Sequence, residues 1–541
     1  MTITELSSRY VERRAELDPI AATSWGVAGH DAELPDLSPD GLEERADLDR
    51  RTLVELRDLP AEGDVDRRAA ALMTERLDLA LELHEAGEGL RALRVIGSPV
   101  QSVRQVFDLM PKATEDDWRV IAERMSKVPE ALAGVRASLE AGRGRGILAA
   151  RRQALACAGQ AETWGGPDGF FLGMAAGHPD LDGPAQAATG AYAGLAQYLR
   201  EEYAPTAPER DAVGRDRYSL WFRSSHGAEL DLDEAYAWGW DELHRIESEM
   251  RAEADRVVPG GSIEDAVGQL EGPDGPAIEG VDALRDWLQA LMDRTVDELD
   301  GAHFDIPEPV RRVEAMIAPP GGAAAMYYTG PSEDFSRPGR TWYPTLGKTR
   351  FPTWGEVSIA YHEGVPGHHL QVAQVRHLGE ALPRFSRLTF VSAHGEGWAL
   401  YAERLMDELG YLTDPGERLG MLRAQAMRAV RVVVDIGMHL ELAIPPGEPG
   451  AGETWTPERG LVFVLARSRF PADFMASEID RYLGWHGQAP SYKLGERAWL
   501  AARAEVQARD GSGFDLKAFH ARALDLGPLG LDQLRSELVR V

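Results

Sequence analysis

The stretch AYHEGVPGHHLQ, residues 360–371, places three histidines and a glutamate within eight positions. Imidazole and carboxylate groups are typical ligands of catalytic zinc, and a glutamate beside the first histidine can act as a general base. Zinc hydrolases that use this pair have the second histidine four residues after the first. Here that position is Pro366, so the segment predicts either an interrupted metal site or histidines with no shared function.

An unbroken helix would not bring these histidines to one metal ion. Zinc-bound imidazole nitrogens lie within roughly 3.5 Å of each other, because each Zn–N bond is about 2.0–2.1 Å long. At about 1.5 Å of rise per residue, His362 and His369 would be about 10 Å apart along the axis. His368 would point to a different face from His362. A straight helix is therefore incompatible with the site.

The Pro366-Gly367 pair removes this difficulty. Proline disrupts a helix interior at a cost of about 3 kcal/mol, because it lacks a backbone donor and clashes with the preceding turn. If the pair loops out of the helix, the remaining residues are His-Glu-Gly-Val-His, the usual spacing for zinc. His362 and His368 are then the two predicted imidazole ligands. His369 would need three residues looped out, which favours a packing role for it.

Catalytic zinc takes three protein ligands and a water, so one more ligand is needed. The helical stretch FVSAHGEGWALYAERLMDELG contains His394, Glu396 and Glu403. Residues 394 and 396 are about 200° apart around a helix, so they do not face one ion together. We predict Glu396 as the third ligand and Glu403, on the same face, as a residue that orients a ligand. Glu363 is the predicted general base.

Most of the chain shows the apolar spacing of amphipathic helices, as in DGLEERADLDRRTLVELRDL and AQAATGAYAGLAQYLREEYA. Thr353 and Glu356 have the spacing of a capping box at the start of the motif helix. Residues 311–346 are rich in β-branched and aromatic side chains between Pro and Gly, which predicts a small sheet. Segments 319–325 and 444–453 predict loops. The expected fold class is mainly α, with a small β-sheet beside the metal-motif helix.

Composition limits the classes of function. The 58 basic and 88 acidic residues give a net charge of −30, which argues against nucleic acid or an anionic membrane as partner. Cys157 is the one cysteine, which excludes disulfides within the chain and a thiolate zinc site. The sequence shows no signal peptide and no apolar run of about 18 residues, so we expect a cytoplasmic protein without a membrane span.

Five motifs carry a family resemblance: HEGVPGHHLQ, HGEGWALYAE, VVVDIGMHL, GQAPSYKLGE and FHARALDLGPLGLDQL. Through them the chain resembles a large bacterial family known as a domain of unknown function, and AELDPIAATSWGVAGHD extends the resemblance toward the N-terminus. That family is similar to helical zinc peptidases of the thermostable carboxypeptidase, angiotensin-converting-enzyme and neurolysin type. The resemblance implies a helical body split by a deep channel with zinc at its floor. It also implies His362, His368 and Glu396 as ligands and Glu363 as base.

The resemblance further implies one zincin-like peptidase domain over residues 1–541, or two lobes, about 1–300 and about 301–541, the second carrying the metal motif. One zinc ion per chain is the expected cofactor, although Mn or Co also fits two nitrogens and an oxygen. The expected partner is a peptide substrate.

The predicted function is a zinc-dependent peptidase that cleaves oligopeptides with a metal-activated water, as a carboxypeptidase or dipeptidyl carboxypeptidase. The related peptidases stabilise the oxyanion with a Tyr or His from a late helix, which suggests Tyr492, with His439 as a second candidate. Arg431 and Arg503 are candidate cations for a substrate carboxylate. The edge of the small sheet is expected to pair with an extended peptide. The alternatives are a non-catalytic peptide-binding protein with the same channel and a metal-dependent amidase acting on non-peptide substrates.

Overall fold

The protein is described by a computed structural model that covers residues 1–318, 326–332 and 334–540; the predicted loop at 319–325 lies outside the described residues. Helix accounts for 68% of the chain and strand for 4%, which confirms the predicted mainly helical class with small sheets. The helices are α1 (Ile3–Leu17), α2 (Pro19–Trp25), α3 (Pro39–Arg57), α4 (Asp64–Glu85), α5 (Pro99–Leu109), α6 (Glu115–Ser126), α7 (Val128–Gly144), α8 (Arg151–Trp164), α9 (Phe170–Ala175), α10 (Asp182–Tyr198), α11 (Arg215–His226), α12 (Leu232–Val257), α13 (Ile263–Glu271), α14 (Val281–Leu299), α15 (Glu356–Glu363), α16 (His368–Leu378), α17 (Arg384–Leu388), α18 (Ser392–Glu408), α19 (Pro415–Leu440), α20 (Pro457–Ser468), α21 (Ala472–Gly484), α22 (Ser491–Asp510), α23 (Leu516–Asp525) and α24 (Leu531–Arg540). The strands are β1 (Ala277–Glu279), β2 (Val313–Ile317), β3 (Tyr327–Thr329), β4 (Gly339–Tyr343) and β5 (Arg350–Pro352).

The chain forms two compact units. The first consists of Met1–Trp221, Pro383–Leu388 and Ser477–His486, and the second of Phe222–Leu382, Thr389–Ala476 and Gly487–Val541. The division therefore falls after residue 221, whereas the sequence suggested a lobe boundary near residue 300. The difference arises because α12 packs along α19 and α14 packs against β2, which places residues 222–300 in the second unit.

The core of the first unit surrounds α10, which packs against α6, α7, α8 and α9. This helix is rich in alanine and glycine, so neighbouring helices can approach it closely, and Ala185, Ala188 and Tyr192 are buried on its inner side. Phe107 and Phe171 fill the space beside it with an edge-to-face contact, at 5.6 Å between ring centroids.

Two close helix pairs form the frame of the second unit. Helices α12 and α19 pack along each other where Gly239 of α12 lies against Val432 of α19. Helices α18 and α22 meet at Gly397 and Gly495, where an added Cβ atom would lie 2.4 Å and 2.0 Å from backbone atoms of the facing helix. Because α15 packs against both α18 and α19, these pairs position the histidine motif.

We predict that Gly495→Ala destabilises the second unit by about 1–3 kcal/mol, because its Cβ atom would overpack a rigid backbone contact. The carbonyl oxygen of Ala393 would lie 2.0 Å from that Cβ, and a backbone atom cannot rotate away. Gly268→Ala in α13 is the matched control, since an added Cβ there meets nothing within 4 Å. Thermal unfolding followed by circular dichroism should show a lower midpoint for the first variant alone; equal midpoints would contradict the prediction.

The small sheet predicted within residues 311–346 is present. Its strand order is β2-β4-β3, with β2 parallel and β3 antiparallel to β4. Along β4 burial alternates, so that Gly339, Thr341 and Tyr343 are buried and the residues between them are partly exposed. Strands β2 and β3 are the two edges of this sheet.

The start of the motif helix differs from the prediction. Strand β5 pairs antiparallel with β1, and this pairing continues as the Thr353 amide donates to the carbonyl of Pro276, at 3.0 Å. The Thr353 hydroxyl also faces Pro276, at 3.4 Å. The predicted capping box is therefore wrong, because strand pairing holds Thr353 away from the helix and Gly355 is the residue that precedes α15.

The predicted loop at residues 444–453 is confirmed as irregular backbone, closed by a single bridge between Ala443 and Thr454. Among the helices that the structure describes, none has both the length and the apolar composition required to cross a membrane.

Candidate metal centre

The histidine motif is split between two helices. Helix α15 ends at Glu363 and α16 begins at His368, so the break spans residues 364–367, two more than the predicted bulge. The peptide bond before Pro366 is cis, and the carbonyl of Pro366 accepts a hydrogen bond from the indole of Trp398 on α18, at 2.9 Å. A Cβ atom on Gly367 would lie 2.0 Å from the carbonyl oxygen of His362, so only glycine fits there.

The break brings together the three residues that the sequence proposed as ligands. The Oε2 atom of Glu396 lies 3.5 Å from Nε2 of His362 and 3.3 Å from Nε2 of His368. All three ligand atoms lie within 4.8 Å of one another, and the two imidazole rings are nearly perpendicular, at 88°. Within the described part of the chain, no other group of three His, Cys, Asp or Glu side chains meets this closely.

The donor set fits a zinc-sized ion. Bonds of about 2.0–2.1 Å in a tetrahedron place neighbouring donor atoms about 3.3–3.5 Å apart, which agrees with the two distances to Glu396. Oε2 of Glu396 is buried and has no hydrogen-bond partner among the described residues. Leaving a buried carboxylate oxygen unpaired is costly, and a cation bound there would satisfy it. Two imidazoles and one carboxylate also leave a fourth position for water.

The charges around the site favour a cation. Burial lowers the pKa of His362, but the carboxylates of Glu396 and Glu403 outweigh it and raise that pKa to about 9. Burial raises the pKa of Glu396, yet the neighbouring imidazoles of His368 and His362 hold it well below its ordinary value. Glu396 is therefore a carboxylate at neutral pH, and the negative charge around His362 strengthens it as a ligand.

Glu403 contacts the candidate ligand His362 on the side away from Glu396, as the sequence suggested. Its Oε1 atom lies 2.8 Å from Nδ1 of His362, which directs Nε2 toward Glu396. The hydroxyl of Ser358 donates to its Oε2 atom at 2.7 Å, and the guanidinium of Arg428 lies 3.4 Å from Oε1. All three of these polar groups are buried, so the carboxylate is held in one position.

We expect Glu403→Gln to weaken zinc binding by about 10- to 100-fold, because the neutral amide lowers the basicity of His362 and holds its ring less firmly. The control is Glu408→Gln at the end of the same helix, whose carboxylate binds Arg503 at 2.8 Å and is partly exposed. Zinc dissociation constants would be measured by competition with a chromophoric chelator. Equal affinities for both variants would show that Glu403 does not act on the ligand.

Glu363 directly follows the candidate ligand His362 in the chain and has no competing partner among the described residues. Its side chain is 7% exposed, and it forms no hydrogen bond or ion pair with any residue that the structure describes. The hydroxyl of Tyr343, at the end of β4, likewise has no hydrogen-bond partner in the described part of the chain. Burial raises the pKa of Tyr343, the Thr341 hydroxyl opposes this rise, and the carboxylate of Glu363 adds to it, so the phenol is protonated at neutral pH.

The structure also brings Tyr492 and Arg431 together. The guanidinium of Arg431 lies 4.5 Å from the centre of the Tyr492 ring, and that of Arg428 lies 5.9 Å from it. Arg428 also contacts Glu403, which in turn contacts His362, so Tyr492 and Arg431 are connected to the candidate ligands through Arg428 and Glu403. Tyr492 thus lies in the network that supports the site.

Two other predicted residues, His439 and Arg503, have contacts with different neighbours. His439 is fully buried in α19, and its Nε2 atom lies 3.9 Å from Asp435. The guanidinium of Arg503 is bound to Glu408 and lies 3.3 Å from the Tyr401 hydroxyl. The contacts of these two side chains are thus with Asp435, Glu408 and Tyr401.

Two buried histidines of the motif segments serve packing. Nε2 of His369 lies 2.7 Å from the carbonyl of Val310 and Nδ1 lies 2.9 Å from the hydroxyl of Tyr328, and burial lowers the pKa of His369 to about 4. Burial likewise lowers the pKa of His394 to about 3, and its Nδ1 atom lies 3.2 Å from the amide of Gln371.

Three residues of the site were not predicted. Ser358 precedes His362 by one helical turn, and Arg428 precedes Arg431 by three residues, so helical spacing could have indicated both. For Tyr343, the only feature of the sequence that could have indicated a role was the alternation of buried and partly exposed positions along β4.

Comparison with known proteins places the chain in a family. The family described as "Bacterial protein of unknown function (DUF885)" matches residues 19–538. The chain belongs to this family. The predicted membership of a bacterial family of unknown function is thereby confirmed. Comparison with curated protein sequences gives no match.

Two solved structures have a similar fold. A "putative lipoprotein from Colwellia psychrerythraea" is 22% identical, with a TM-score of 0.88 over 99% of this chain and 98% of that chain. A "putative lipoprotein of unknown function from Shewanella oneidensis" is 16% identical, with a TM-score of 0.75 over 99% of each chain. The cytoplasmic location expected from the sequence is wrong on this comparison, because both similar structures are named as lipoproteins.

Proposed function

We propose that this protein is a metal-dependent peptidase that uses zinc and water to cleave peptide bonds. The observation that supports the proposal is the convergence of His362, His368 and Glu396, with the unpartnered carboxylate of Glu363 following the first ligand in the chain. The motif resemblance to helical zinc peptidases of the carboxypeptidase, angiotensin-converting-enzyme and neurolysin type is consistent with it. A structural zinc site would not need a free base beside its ligands.

Zinc in this site would lower the pKa of a water molecule and polarise the peptide carbonyl. Side chains of the protein would provide proton transfer, stabilisation of the developing negative charge and positioning of the ligands. Glu363 would take a proton from the water and pass it to the leaving amine. Tyr343 and Tyr492 would be the candidate donors to the carbonyl oxygen as negative charge develops on it. Glu403 and Arg428 would hold His362 in position.

The small sheet is the proposed docking site for the peptide backbone. Strand β3 is an edge of the sheet, and the hydroxyl of its residue Tyr328 is hydrogen-bonded to His369, the residue after the ligand His368. An extended peptide could add to this edge beside the metal ligands. Arg431 and Arg503 are the proposed contacts for a substrate carboxylate in C-terminal trimming; the guanidinium of Arg503 also binds Glu408.

The proposal is tested by incubating the zinc-loaded protein with a mixture of synthetic peptides and following the products by mass spectrometry. We expect cleavage that stops on treatment with a chelator and returns with zinc. Removal of C-terminal residues or dipeptides would identify a carboxypeptidase, and internal cuts an endopeptidase. Cleavage of simple amides but not peptides would indicate an amidase. Zinc binding with no hydrolysis of either class would contradict the proposal and favour a peptide-binding protein.

We also infer that the protein acts outside the cytoplasm, since both similar structures are named as putative lipoproteins. Cell fractionation with antibody detection would test this, and recovery in the cytosolic fraction alone would contradict it.

A further inference from the structure

A cavity of about 670 Å³ lies within the first unit, and neither the motif nor the proposed reaction uses it. It lies beside α4, the turn at Glu88–Arg91, and the starts of α8 and α11. Its volume is in the range of pockets that hold small organic molecules. Much of its wall is apolar, including Leu42, Leu83, Leu93, Leu148, Val213 and Leu483.

The polar part of the wall is positively charged, although the chain as a whole carries −30. Two carboxylates line it, Glu88 and Asp211, against four arginines, which are Arg91, Arg94, Arg210 and Arg217. Both guanidinium contacts of Arg217 to Glu88 measure 2.8 Å, and Arg91 binds the same carboxylate at 2.6 Å. Asp211 accepts from Arg152, which lies outside the lining, at 3.0 Å. Both acids are therefore already compensated.

Arg94 differs from Arg91 and Arg217, which both bind the carboxylate of Glu88. Its Nε and Nη2 atoms donate to the carbonyl of Gly97, at 3.0 and 2.7 Å, and it forms no ion pair with any described residue. The guanidinium carbon lies 5.0 Å from the centre of the Trp221 ring and 5.2 Å from the centre of the Trp485 ring. Arg94 is partly buried and lines the cavity, and a guanidinium in that position gains a charge-assisted hydrogen bond when it pairs with an anion.

We propose that this cavity binds a small organic oxyanion, with its carboxylate or phosphate group at Arg94 and an apolar body against Trp221 and the leucine wall. The planar guanidinium matches the geometry of both headgroups. The two hydrogen bonds to the Gly97 carbonyl hold that guanidinium in one orientation, which lowers the entropy lost on binding. The site lies wholly in the first unit and is independent of the proposed metal chemistry.

The test is isothermal titration of the full chain with three probes of similar size: 3-phenylpropionate, its neutral amide 3-phenylpropionamide, and phenyl phosphate. We expect 3-phenylpropionate to bind at least about tenfold more tightly than the amide, because only the anion pairs with Arg94. Tighter binding of phenyl phosphate would identify the natural ligand as a phosphate ester, and tighter binding of 3-phenylpropionate as a carboxylate. Equal affinity for acid and amide, or no binding of either anion at millimolar concentration, would overturn the proposal.

Arg94→Gln locates the anion within the cavity. We expect it to weaken the binding of the anionic probe at least about tenfold while leaving the affinity for the amide unchanged. Arg104→Gln is the control, since Arg104 belongs to the same unit, pairs with Asp108 at 2.5 Å and does not line the cavity. Unchanged anion binding in Arg94→Gln would refute the assignment. If that variant fails to fold, the comparison of acid and amide on the native chain still decides the question.

Discussion

Replacing Glu363 with glutamine is expected to lower kcat/KM for peptide hydrolysis by about 10²- to 10⁴-fold while zinc stays bound at about one ion per chain. The amide has nearly the size of the carboxylate but cannot take a proton from water. Glu363 is not among the three converging ligands, so the metal should not be lost with it. Loss of rate without loss of metal would separate a base from a ligand.

Glu356→Gln is the matched control for this change, at the other end of the same helix and about 10 Å away along its axis. Burial raises the pKa of Glu356 to about 7, so an amide replaces a carboxyl group that is already partly protonated near neutrality. Hydrolysis by this variant should stay within about twofold of the native rate. More than a tenth of native activity in Glu363→Gln would rule out the assigned base, and loss of zinc would make Glu363 a ligand.

Replacing His368 with alanine is expected to weaken zinc binding by about 10²- to 10³-fold. The total free energy of zinc binding is about 10–16 kcal/mol, and one ligand among four supplies about a quarter of it. Nε2 of His368 faces Glu396 at 3.3 Å. His369→Ala should keep its zinc, because both ring nitrogens of His369 contact Val310 and Tyr328. Elemental analysis of the purified variants and chelator competition would measure the difference.

The effect of these two variants on stability should be the reverse of their effect on zinc binding: His369→Ala, which keeps its zinc, should be the less stable protein. His369→Ala leaves the buried carbonyl of Val310 and the partly buried hydroxyl of Tyr328 without this partner, which costs about 1–3 kcal/mol for each group that stays unsatisfied. Metal-free His368→Ala should unfold close to the native metal-free protein. Loss of zinc in His369→Ala with retention in His368→Ala would reverse the assignment. Absence of zinc from the native protein, even when zinc is supplied, would remove the metal centre altogether.

Local patterns predicted the architecture around the site well. The apolar spacing predicted the helices, the β-branched and aromatic region predicted the three-stranded sheet, and the Pro366-Gly367 pair predicted the break between His362 and His368. These features depend on backbone propensity and on neighbours close in sequence. Helix geometry alone indicated that His394 and Glu396 would not both face one ion, and Glu396 was the predicted third ligand.

The partners of those residues were decided by tertiary packing. Arg428 reaches Glu403 only because α19 and α18 both pack against α15, and Arg503 turns to Glu408 rather than to the ligands. The cap predicted at Thr353 failed because β5 pairs with β1, about 75 residues earlier in the chain. Local spacing says which side chains share a face, but helix packing decides what that face meets. The sequence by itself thus determined the elements and the ligand types, while the tertiary structure decided which charges meet, because those contacts join distant segments.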